Sequence, residues 1–261
     1  MMNWMRRIAR ACLPKRYHPT SVFARRLQEV SQGVVMSGPF AGTRYVDCSF
    51  GSQLLPKLLG SYEKELWPAV AELSAAGFER VIVAGAAEGY YAVGMAHWPS
   101  VRKVDAFEAS PEAYPALAEL ARRNGVADKI EQHGLCDCSQ LAMLLTDPAK
   151  TLLLVDIEGS ESVLLDPGVV PALRDTTMLV EMHDCFLAGL GALMHARFAT
   201  SHVMTRIDAQ SRSLRDVPRE LRDLPRYLLG AAVAAVDEGR PDGMYWLLMR
   251  PIGSTVARQA T

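Results

Sequence analysis

The chain has 261 residues, of which 49% are hydrophobic and 22% are charged, and its formal net charge at pH 7 is −1. This composition excludes collagen-like, low-complexity and wholly disordered proteins, and it allows a sizeable hydrophobic core. Seven basic residues precede the first acidic residue, Glu29, so the remainder of the chain is net negative, which disfavours a nucleic-acid partner and favours a small substrate.

The cysteines and the apolar segments indicate the cellular environment. The chain has five cysteines, an odd number, and none of them forms a C-x-x-C pair. This pattern is typical of a protein whose thiols stay reduced, so we predict a cytoplasmic location. No stretch approaches the roughly 18 uncharged apolar residues of a membrane-spanning helix, and we expect no integral membrane segment.

The N-terminal segment is basic and amphipathic. Apolar residues from Trp4 to Cys12 recur at helical spacing with arginines between them, and Pro14 ends the pattern. One hypothesis is a weak peripheral contact with anionic lipid. The other is a solvated arm or a flap that packs on the rest of the protein.

Two further elements are predicted before the main alternating pattern. Short apolar pieces around glycine and proline in residues 34–50 predict a hairpin. Residues 61–77 place apolar side chains along one helical face, although Pro68 either restricts the middle of this helix or starts a second segment. We therefore assign residues 1–60 to a basic arm and hairpin, and residues 61–261 to one main domain.

Strand-like and helical segments alternate in the main domain. Strand-like runs occupy residues 79–85, 102–108, 128–134, 151–158, 176–184, 202–209 and 244–250. Helical patterns occupy residues 90–97, 111–124, 138–145, 188–198 and 218–237. The alternation predicts an α/β, Rossmann-like fold with a seven-stranded, mostly parallel sheet and helices on both faces. The long connection before the last run allows the last strand to return antiparallel.

A glycine turn followed by an acidic residue is the clearest motif. A strand ends at Ala84, Gly85 and Gly89 bracket the turn, and a helix follows, so the backbone can approach a ligand closely. Glu108 ends the next strand, 19 residues after Gly89, where a carboxylate can accept both hydroxyl protons of a ribose. Glu88 inside the turn would repel a pyrophosphate but tolerates ammonium and sulfonium groups. This favours S-adenosylmethionine over a nicotinamide cofactor.

Four segments in order resemble a known family. They are VAGAAEGYY, VDAFEASPEAYPALAELARRNGV, LLLVDIEGSESVLL and LVEMHD, within residues 78–184. Together they resemble the class I S-adenosylmethionine-dependent methyltransferases, in particular the FkbM-like branch, which joins G-x-x-x-G-Y-Y to D-x-E-G-x-E. Val83 departs from the pattern because the family usually has an acidic or amide residue there. The family residue at this position contacts the amino group of the cofactor, and the hypothesis is that Glu88 makes this contact here.

The resemblance implies where S-adenosylmethionine binds. Gly85, Ala86 and Gly89 would contact its methionine end, and Glu108 would contact its ribose. Its adenine would lie against Ala109 and the segment from Gly134 to Asp137, and Asp137 would accept the exocyclic amine. Cys136 and Cys138 form a C-x-C pair, which is a weak metal signal, so we expect no metal there.

Acidic and histidine residues follow the fourth and fifth predicted strands, and ligands of open α/β sheets bind at the carboxyl ends of strands. These residues are Asp156, Glu158, Glu161, Glu181, His183 and Asp184. His183 is the candidate general base, with Asp184, Asp156 or Glu181 orienting its second nitrogen. The alternative is a structural histidine at the strand end. Asp156 either faces the sulfonium and the acceptor or caps the turn at Gly159.

These residues predict an enzyme that moves a methyl group from S-adenosylmethionine to a hydroxyl oxygen of a sugar, glycan precursor or other small metabolite. A rival hypothesis is a metal-dependent O-methyltransferase in which Asp156, His183 and Asp184 hold Mg²⁺. That ligand set is incomplete, so we expect no metal. A third hypothesis is a non-catalytic cofactor-binding or nucleotide-binding partner module in polysaccharide or secondary-metabolite assembly. Four arginines have two interpretations: they bind an acidic group of the acceptor, or they are solvated surface residues. They are Arg197, Arg206, Arg212 and Arg240.

Overall fold

The computed structural model describes residues 14–241 and 243–253. The chain forms two compact units. The described part of the smaller unit consists of the residues up to Asp47, Ser52–Tyr62 and Ser211–Gly239. The larger unit contains Cys48–Gly51, Glu63–Gln210 and the residues from Arg240 onward. In the structure, the smaller unit includes the described chain up to Tyr62 apart from Cys48–Gly51, whereas the sequence predicted a domain boundary after residue 60. Residues 211–239 belong to the smaller unit, although the sequence predicted them as part of the main domain.

A seven-stranded sheet forms the centre of the larger unit. Its strands are β1 (Arg80–Ala84), β2 (Lys103–Phe107), β3 (Ile130–His133), β4 (Thr151–Val155), β5 (Thr177–Met182), β6 (His202–Asp208) and β7 (Tyr245–Pro251). The order is β3-β2-β1-β4-β5-β7-β6. Pairing from β3 to β5 is parallel, and β7 runs antiparallel to both β5 and β6. The predicted α/β fold, its seven strands and the antiparallel last strand are confirmed.

Helices cover both faces of this sheet. The helices of the described chain are α1 (Pro19–Ser31), α2 (Leu54–Leu59), α3 (Trp67–Ala75), α4 (Tyr90–Ala96), α5 (Tyr114–Arg123), α6 (Cys138–Leu144), α7 (Glu161–Leu164), α8 (Leu190–Phe198) and α9 (Leu229–Val236). Alternate strand residues such as Ile82, Leu153 and Val180 share one buried cluster with residues of α6, α7 and α8. Helix α4 contacts β1, β2 and β3. Burial on both faces explains why the central strands are almost wholly apolar.

The smaller unit is helical. Helix α9 contacts both α1 and α2, and α1 buries Phe23 and Leu27, which lie one helical turn apart. Helix α1 was not predicted from the sequence. The predicted amphipathic segment from Trp4 to Cys12 lies outside the described residues.

Prolines and glycines account for the departures from the predicted elements. Residues 34–50 form turns closed by a single bridge between Val34 and Arg44, so the predicted hairpin has no extended strands. Pro68 starts a helix in its first turn, which confirms the second of the two alternatives for residues 61–77. Of the helix predicted over residues 218–237, only α9 is α-helical in the structure, and short 3-10 turns precede it.

The described helices are all too short or too polar to cross a bilayer, as judged over residues 14–241 and 243–253.

Candidate functional site

The glycine turn connects β1 to α4 and is tied to the end of β2. The amides of Gly85 and Ala86 both donate to the carbonyl of Phe107, at 3.0 and 2.8 Å. Gly85 has a φ of +86°, and a Cβ atom there would lie 1.7 Å from the carbonyl oxygen of Asp156. Only glycine allows the ends of β1 and β4 to approach so closely. Gly89 precedes α4 with a φ of +101°, and its amide donates to the carbonyl of Ala86 at 2.8 Å.

The Glu108 carboxylate, at the end of β2, is hydrogen-bonded to the glycine turn. Its Oε2 accepts from the Ala87 amide at 2.8 Å, and its Oε1 accepts from the Ser110 amide at 2.7 Å. The side chain is partly exposed, and each carboxylate oxygen can accept a second hydrogen bond. Because the amides of the turn already donate within the protein, this region favours a ligand that donates hydrogen bonds over a phosphate.

Glu88 is directed into the protein. It is fully buried, its Oε1 accepts from the Ser49 hydroxyl at 2.9 Å, and its Oε2 accepts from the Phe50 amide at 3.0 Å. These bonds attach residues 48–51 to the glycine turn. Contact between Glu88 and the cofactor, as the sequence suggested, stays a prediction, and the observed bonds give Glu88 a structural role.

The predicted adenine-binding residues lie at the ends of β2 and β3. Ala109, which follows β2, is exposed, whereas Ala86, which was predicted to contact the methionine end of the cofactor, is buried. Asp137 caps α6: its Oδ1 accepts from the Gln140 amide at 2.8 Å, and the Gln140 side chain accepts in return from the Asp137 amide at 3.2 Å. The role of Asp137 in binding adenine stays a prediction.

The acidic and histidine residues that follow β4 and β5 meet at the carboxyl edge of the sheet. Nε2 of His183 lies 3.4 Å from Oε2 of Glu181 and 3.6 Å from Oδ1 of Asp156. The side chains of His183 and Glu181 are 2% and 3% exposed, whereas that of Asp156 is 27% exposed. Asp156 is therefore the member of this trio that a substrate can reach.

Three further residues, Glu161, Arg240 and Glu63, complete the cluster. Oε1 of Glu161 lies 2.7 Å from Nδ1 of His183, and both side chains are buried. Arg240 donates to Oε1 of Glu181 and to Oε1 of Glu63. The sequence marked Glu161 as an acid beyond β4 and Arg240 as a candidate binder of an acidic acceptor group, but no sequence signal marked Glu63.

The cluster shifts the pKa values of its members in different directions. Burial opposes the charge of His183, but the hydrogen bonds and negative charges of Glu161 and Glu181 raise its pKa to about 10. Burial also opposes the charge of Glu181, and the His183 bond together with the Arg240 charge lowers the Glu181 pKa to about 2. Desolvation and the charge of Glu181 raise the pKa of Asp156 well above its ordinary value.

Asp184 lies apart from these bonds. Its Oδ1 accepts from the Gly191 amide at 3.2 Å, and its Oδ2 accepts from the Tyr245 hydroxyl at 3.1 Å. It therefore orders the loop that connects β5 to α8. Glu161, rather than Asp184, contacts Nδ1 of His183 and so orients the ring.

The candidate arginines are each paired with an acidic residue of the protein. Arg197 pairs with Asp166, Arg206 with Asp208, Arg212 with Glu238, and Arg240 with Glu181 and Glu63. A phosphate or carboxylate of an acceptor would have to compete with these carboxylates. The interpretation of the arginines as acceptor ligands stays a prediction.

No protein-family model matches the chain, and no curated protein matches it significantly. Solved structures are similar to it at low identity. A cofactor-bound structure of Rv0187 from MTB is 15% identical, covers 73% of this chain and 83% of its own, and has a TM-score of 0.45. The S-adenosylmethionine-dependent O-methyltransferase TM0748 from Thermotoga maritima is 12% identical, with 70% and 63% of the chains covered and a TM-score of 0.43. An rRNA methylase from Streptococcus thermophilus is 9% identical, with 72% and 96% covered and a TM-score of 0.46.

Proposed function

We propose that this chain is an S-adenosylmethionine-dependent methyltransferase that transfers the methyl group to a hydroxyl oxygen of a sugar, glycan precursor or other small metabolite. The motif order over residues 78–184 supports the finer assignment to the FkbM-like branch. Cytoplasmic location and the lack of a nucleic-acid partner remain predictions from composition and charge. The proposal is supported by the geometry of the chain's own residues.

The observation that carries the proposal is the position of Glu108. Its carboxylate lies at the carboxyl end of β2 and accepts a hydrogen bond from the glycine turn at Ala87. A ligand that rests on this turn would therefore meet a carboxylate with spare acceptor capacity, which matches the two hydroxyl groups of a ribose. The engaged amides of Gly85 and Ala86 fit a ligand that carries an ammonium group there better than one that carries a pyrophosphate.

The charges beyond the turn fit a cationic methyl donor. When bound, S-adenosylmethionine supplies a methyl group on a positively charged sulfur. The cluster at β4 and β5 has four carboxylates, those of Glu63, Asp156, Glu161 and Glu181. The positive groups bonded to them are His183 and Arg240. Carboxylates at this edge of the sheet favour a cation nearby and disfavour an anionic acceptor.

Asp156 is the residue that we assign to the proton of the acceptor hydroxyl. It is the exposed member of the cluster, and burial together with the charge of Glu181 raises its pKa, which makes it a stronger proton acceptor than an ordinary carboxylate. In the proposed step the proton moves from the hydroxyl to Asp156 as the new carbon–oxygen bond forms and the sulfur–carbon bond breaks. The main contribution of the protein is alignment of the hydroxyl with the methyl group.

His183 has a positioning role in this proposal. A histidine with a pKa of about 10 keeps its proton at neutral pH, so in the ligand-free protein its ring is not a base. It is buried behind Asp156, where it connects that residue to Glu161 and Glu181. The geometry therefore supports Asp156, rather than the His183 base that the sequence suggested, as the proton acceptor.

Isothermal titration with S-adenosylhomocysteine and with NADH tests the donor. We expect saturable binding of S-adenosylhomocysteine and none of NADH. Glu108→Gln should weaken the binding about 10- to 100-fold, the cost of losing charge-assisted hydrogen bonds. The matched control is Glu112→Gln, because Glu112 is an exposed acid in the same segment that accepts from the Ser110 hydroxyl.

Binding of NADH in place of S-adenosylhomocysteine would contradict the proposal. A Glu108→Gln protein that binds with wild-type affinity would refute the assigned ribose contact. Tight binding without methyl transfer to any hydroxyl acceptor in a broad panel would instead support the non-catalytic partner module. Asp156→Asn should abolish turnover and leave S-adenosylhomocysteine affinity within a few-fold of wild type.

A further inference from the structure

We propose that Phe186 is a stacking platform for the ring of a pyranose sugar, and that the carboxylates of Asp156 and Glu158 accept hydrogen bonds from the hydroxyl groups of that sugar. This inference deepens the proposed function and rests on it for the methyl transfer, because it names the part of the chain that holds the acceptor. The binding of the sugar itself is tested without a methyl donor.

Phe186 lies in the loop that follows β5, beside the acidic cluster. Its ring stacks on the imidazole of His183, with 5.6 Å between the ring centroids and 10° between the ring planes. Nε2 of the same imidazole lies 3.6 Å from Oδ1 of Asp156. Because Asp156 is the residue that we assign to the acceptor proton, a ligand whose hydroxyl reaches Asp156 would lie close to the Phe186 ring.

The Phe186 ring is supported on one side and exposed on the other. The residue is 61% exposed, although one face of its ring covers His183. A Cβ atom at Gly159 would lie 3.5 Å from the Phe186 Cβ, so the base of the side chain packs against the turn that follows β4. The exposed part of the ring is therefore its outer face, where a ligand can stack.

The protein fixes this exposed ring in place. The Phe186 amide donates to the His183 carbonyl at 2.9 Å, and in the same loop Asp184 accepts from the Gly191 amide and the Tyr245 hydroxyl. Because His183 keeps its proton at neutral pH, its stacking on the ring is also a cation–π contact. Single exposed apolar residues are common on protein surfaces. A ring that is held in advance differs from them because it loses little entropy when a ligand stacks on it.

The carboxylates near the ring suit a ligand that donates hydrogen bonds. Asp156 is partly exposed, and Glu158, two residues further along the chain, is exposed. Oε1 of Glu158 lies 3.8 Å from the position of a Cβ atom at Gly51, within the segment that Glu88 attaches to the glycine turn. Glu158 has a φ of +51°, and non-glycine residues in this conformation are concentrated at binding and catalytic sites. An ionised carboxylate only accepts hydrogen bonds, as sugar hydroxyls require.

This combination favours a pyranose over a planar aromatic acceptor. One face of a pyranose ring presents C–H groups, whose partial positive charge is attracted to the negative face of an aromatic ring. The rim of the sugar carries several hydroxyl groups, which match carboxylates at two positions, Asp156 and Glu158. A planar aromatic ligand has two apolar faces to bury, and small-molecule pockets bury most of the surface of their ligands. Phe186 provides one aromatic face with carboxylates beside it.

Saturation-transfer-difference NMR on the full chain tests the platform. The probes are the methyl pyranosides of glucose, mannose, galactose and rhamnose, with no methyl donor present. We expect saturable binding of at least one probe, with a Kd of about 1 mM for a ligand of this size. The strongest saturation should fall on the C–H protons of one ring face, the face that stacks on Phe186.

Variants of Phe186 separate a flat ring from mere apolar surface. Phe186→Ala and Phe186→Leu should each weaken glycoside binding at least about tenfold, because neither offers an aromatic face. Phe186→Tyr keeps that face and should bind within about threefold of wild type. The matched control is Tyr227→Ala, since Tyr227 is an exposed aromatic residue of the smaller unit, and it should bind as the wild type does.

The outcomes separate this inference from the proposed function. Lack of saturable glycoside binding, or equal binding by Phe186→Ala and wild type, would overturn the platform. Binding of catechol, a planar aromatic probe, in preference to every glycoside would also overturn it. S-adenosylhomocysteine affinity, measured by calorimetry on the same samples, should differ by less than about threefold between Phe186→Ala and wild type. A protein that binds a glycoside through Phe186 but binds no S-adenosylhomocysteine would refute the proposed methyl donor and support the platform.

Discussion

Oε1 of Glu161 lies 2.7 Å from Nδ1 of His183, 22 residues away in the chain, and both side chains are buried. The contact joins the first residue of α7 to the residue that follows β5. It fixes the ring of His183 so that Nε2 faces Asp156 and Glu181. The orientation of the His183 ring within the cluster therefore depends on this carboxylate.

Glu161→Gln should lower the methyl-transfer rate about 10- to 100-fold, because the His183 ring loses the charged partner that orients it and Asp156 is then held less well in line with the acceptor. The amide keeps the shape of the side chain but not its charge. S-adenosylhomocysteine affinity should change by less than about threefold. Rates and affinities are measured on purified protein, with Glu119→Gln, an exposed helix residue, as control. Unchanged turnover in Glu161→Gln would contradict the assigned role.

Gly85→Ala should destabilise the protein strongly because the new Cβ would lie 1.7 Å from the carbonyl oxygen of Asp156. Gly77→Ala is the matched control, since Gly77 has a similar φ of +81° but no atom within 4 Å of the Cβ position. We expect a loss of about 1–2 kcal/mol for Gly77→Ala from backbone strain alone. The loss for Gly85→Ala should be at least about twice that. Urea unfolding measures both, and equal losses would refute the close approach of β1 and β4.

Glu88→Gln should loosen the segment that contains Ser49 and Phe50. The amide has one acceptor oxygen in place of two, so one of the two observed bonds is lost at a cost of about 1.5–3 kcal/mol. Hydrogen exchange of the Phe50 amide should accelerate, and the melting temperature should fall. Ser49→Ala removes only the hydroxyl donor and should leave the Phe50 amide more protected than Glu88→Gln does. Equal exchange rates in wild type and Glu88→Gln would contradict this account.

The stability of the fold should fall as the pH drops below about 6.5, partly through His202. Its burial lowers its pKa, against the opposing effects of the Thr176 carbonyl and the Asp175 charge. A lowered folded-state pKa means that the unfolded chain binds the proton first. The contribution of His202 is therefore complete above about pH 6.5 and is lost as the pH falls through the folded-state value.

His202→Gln checks this pH dependence. Glutamine can still donate to the Thr176 carbonyl, which His202 Nε2 contacts at 2.9 Å, but it does not titrate. The unfolding free energy of this variant, from urea titrations at several pH values, should decline less steeply than that of wild type. The two slopes should differ by up to about 1.4 kcal/mol per pH unit. Parallel slopes would exclude His202 as a source of the pH dependence.

Much of the larger unit could be predicted from periodicity. The central strands β1, β4 and β5 are short apolar runs between turn residues, and each of the seven predicted runs coincides with an observed strand to within a few residues. The predictions were less accurate where prolines and glycines dominate, as in the turns around Val34 and in residues 218–237. There, local backbone restrictions shorten elements that the apolar pattern alone would extend.

Sequence order by itself determined the alternating sheet, the glycine turn with Glu108 at the end of β2, and the presence of Asp156 and His183 at the ends of β4 and β5. Only the tertiary structure decided which groups face each other. Arg240 meets Glu181 across 59 residues and Glu63 across 177 residues. Such pairings depend on the order of the strands in the sheet, which spacing along the chain does not encode. Burial and nearby charges then shift the proton affinity of the paired groups.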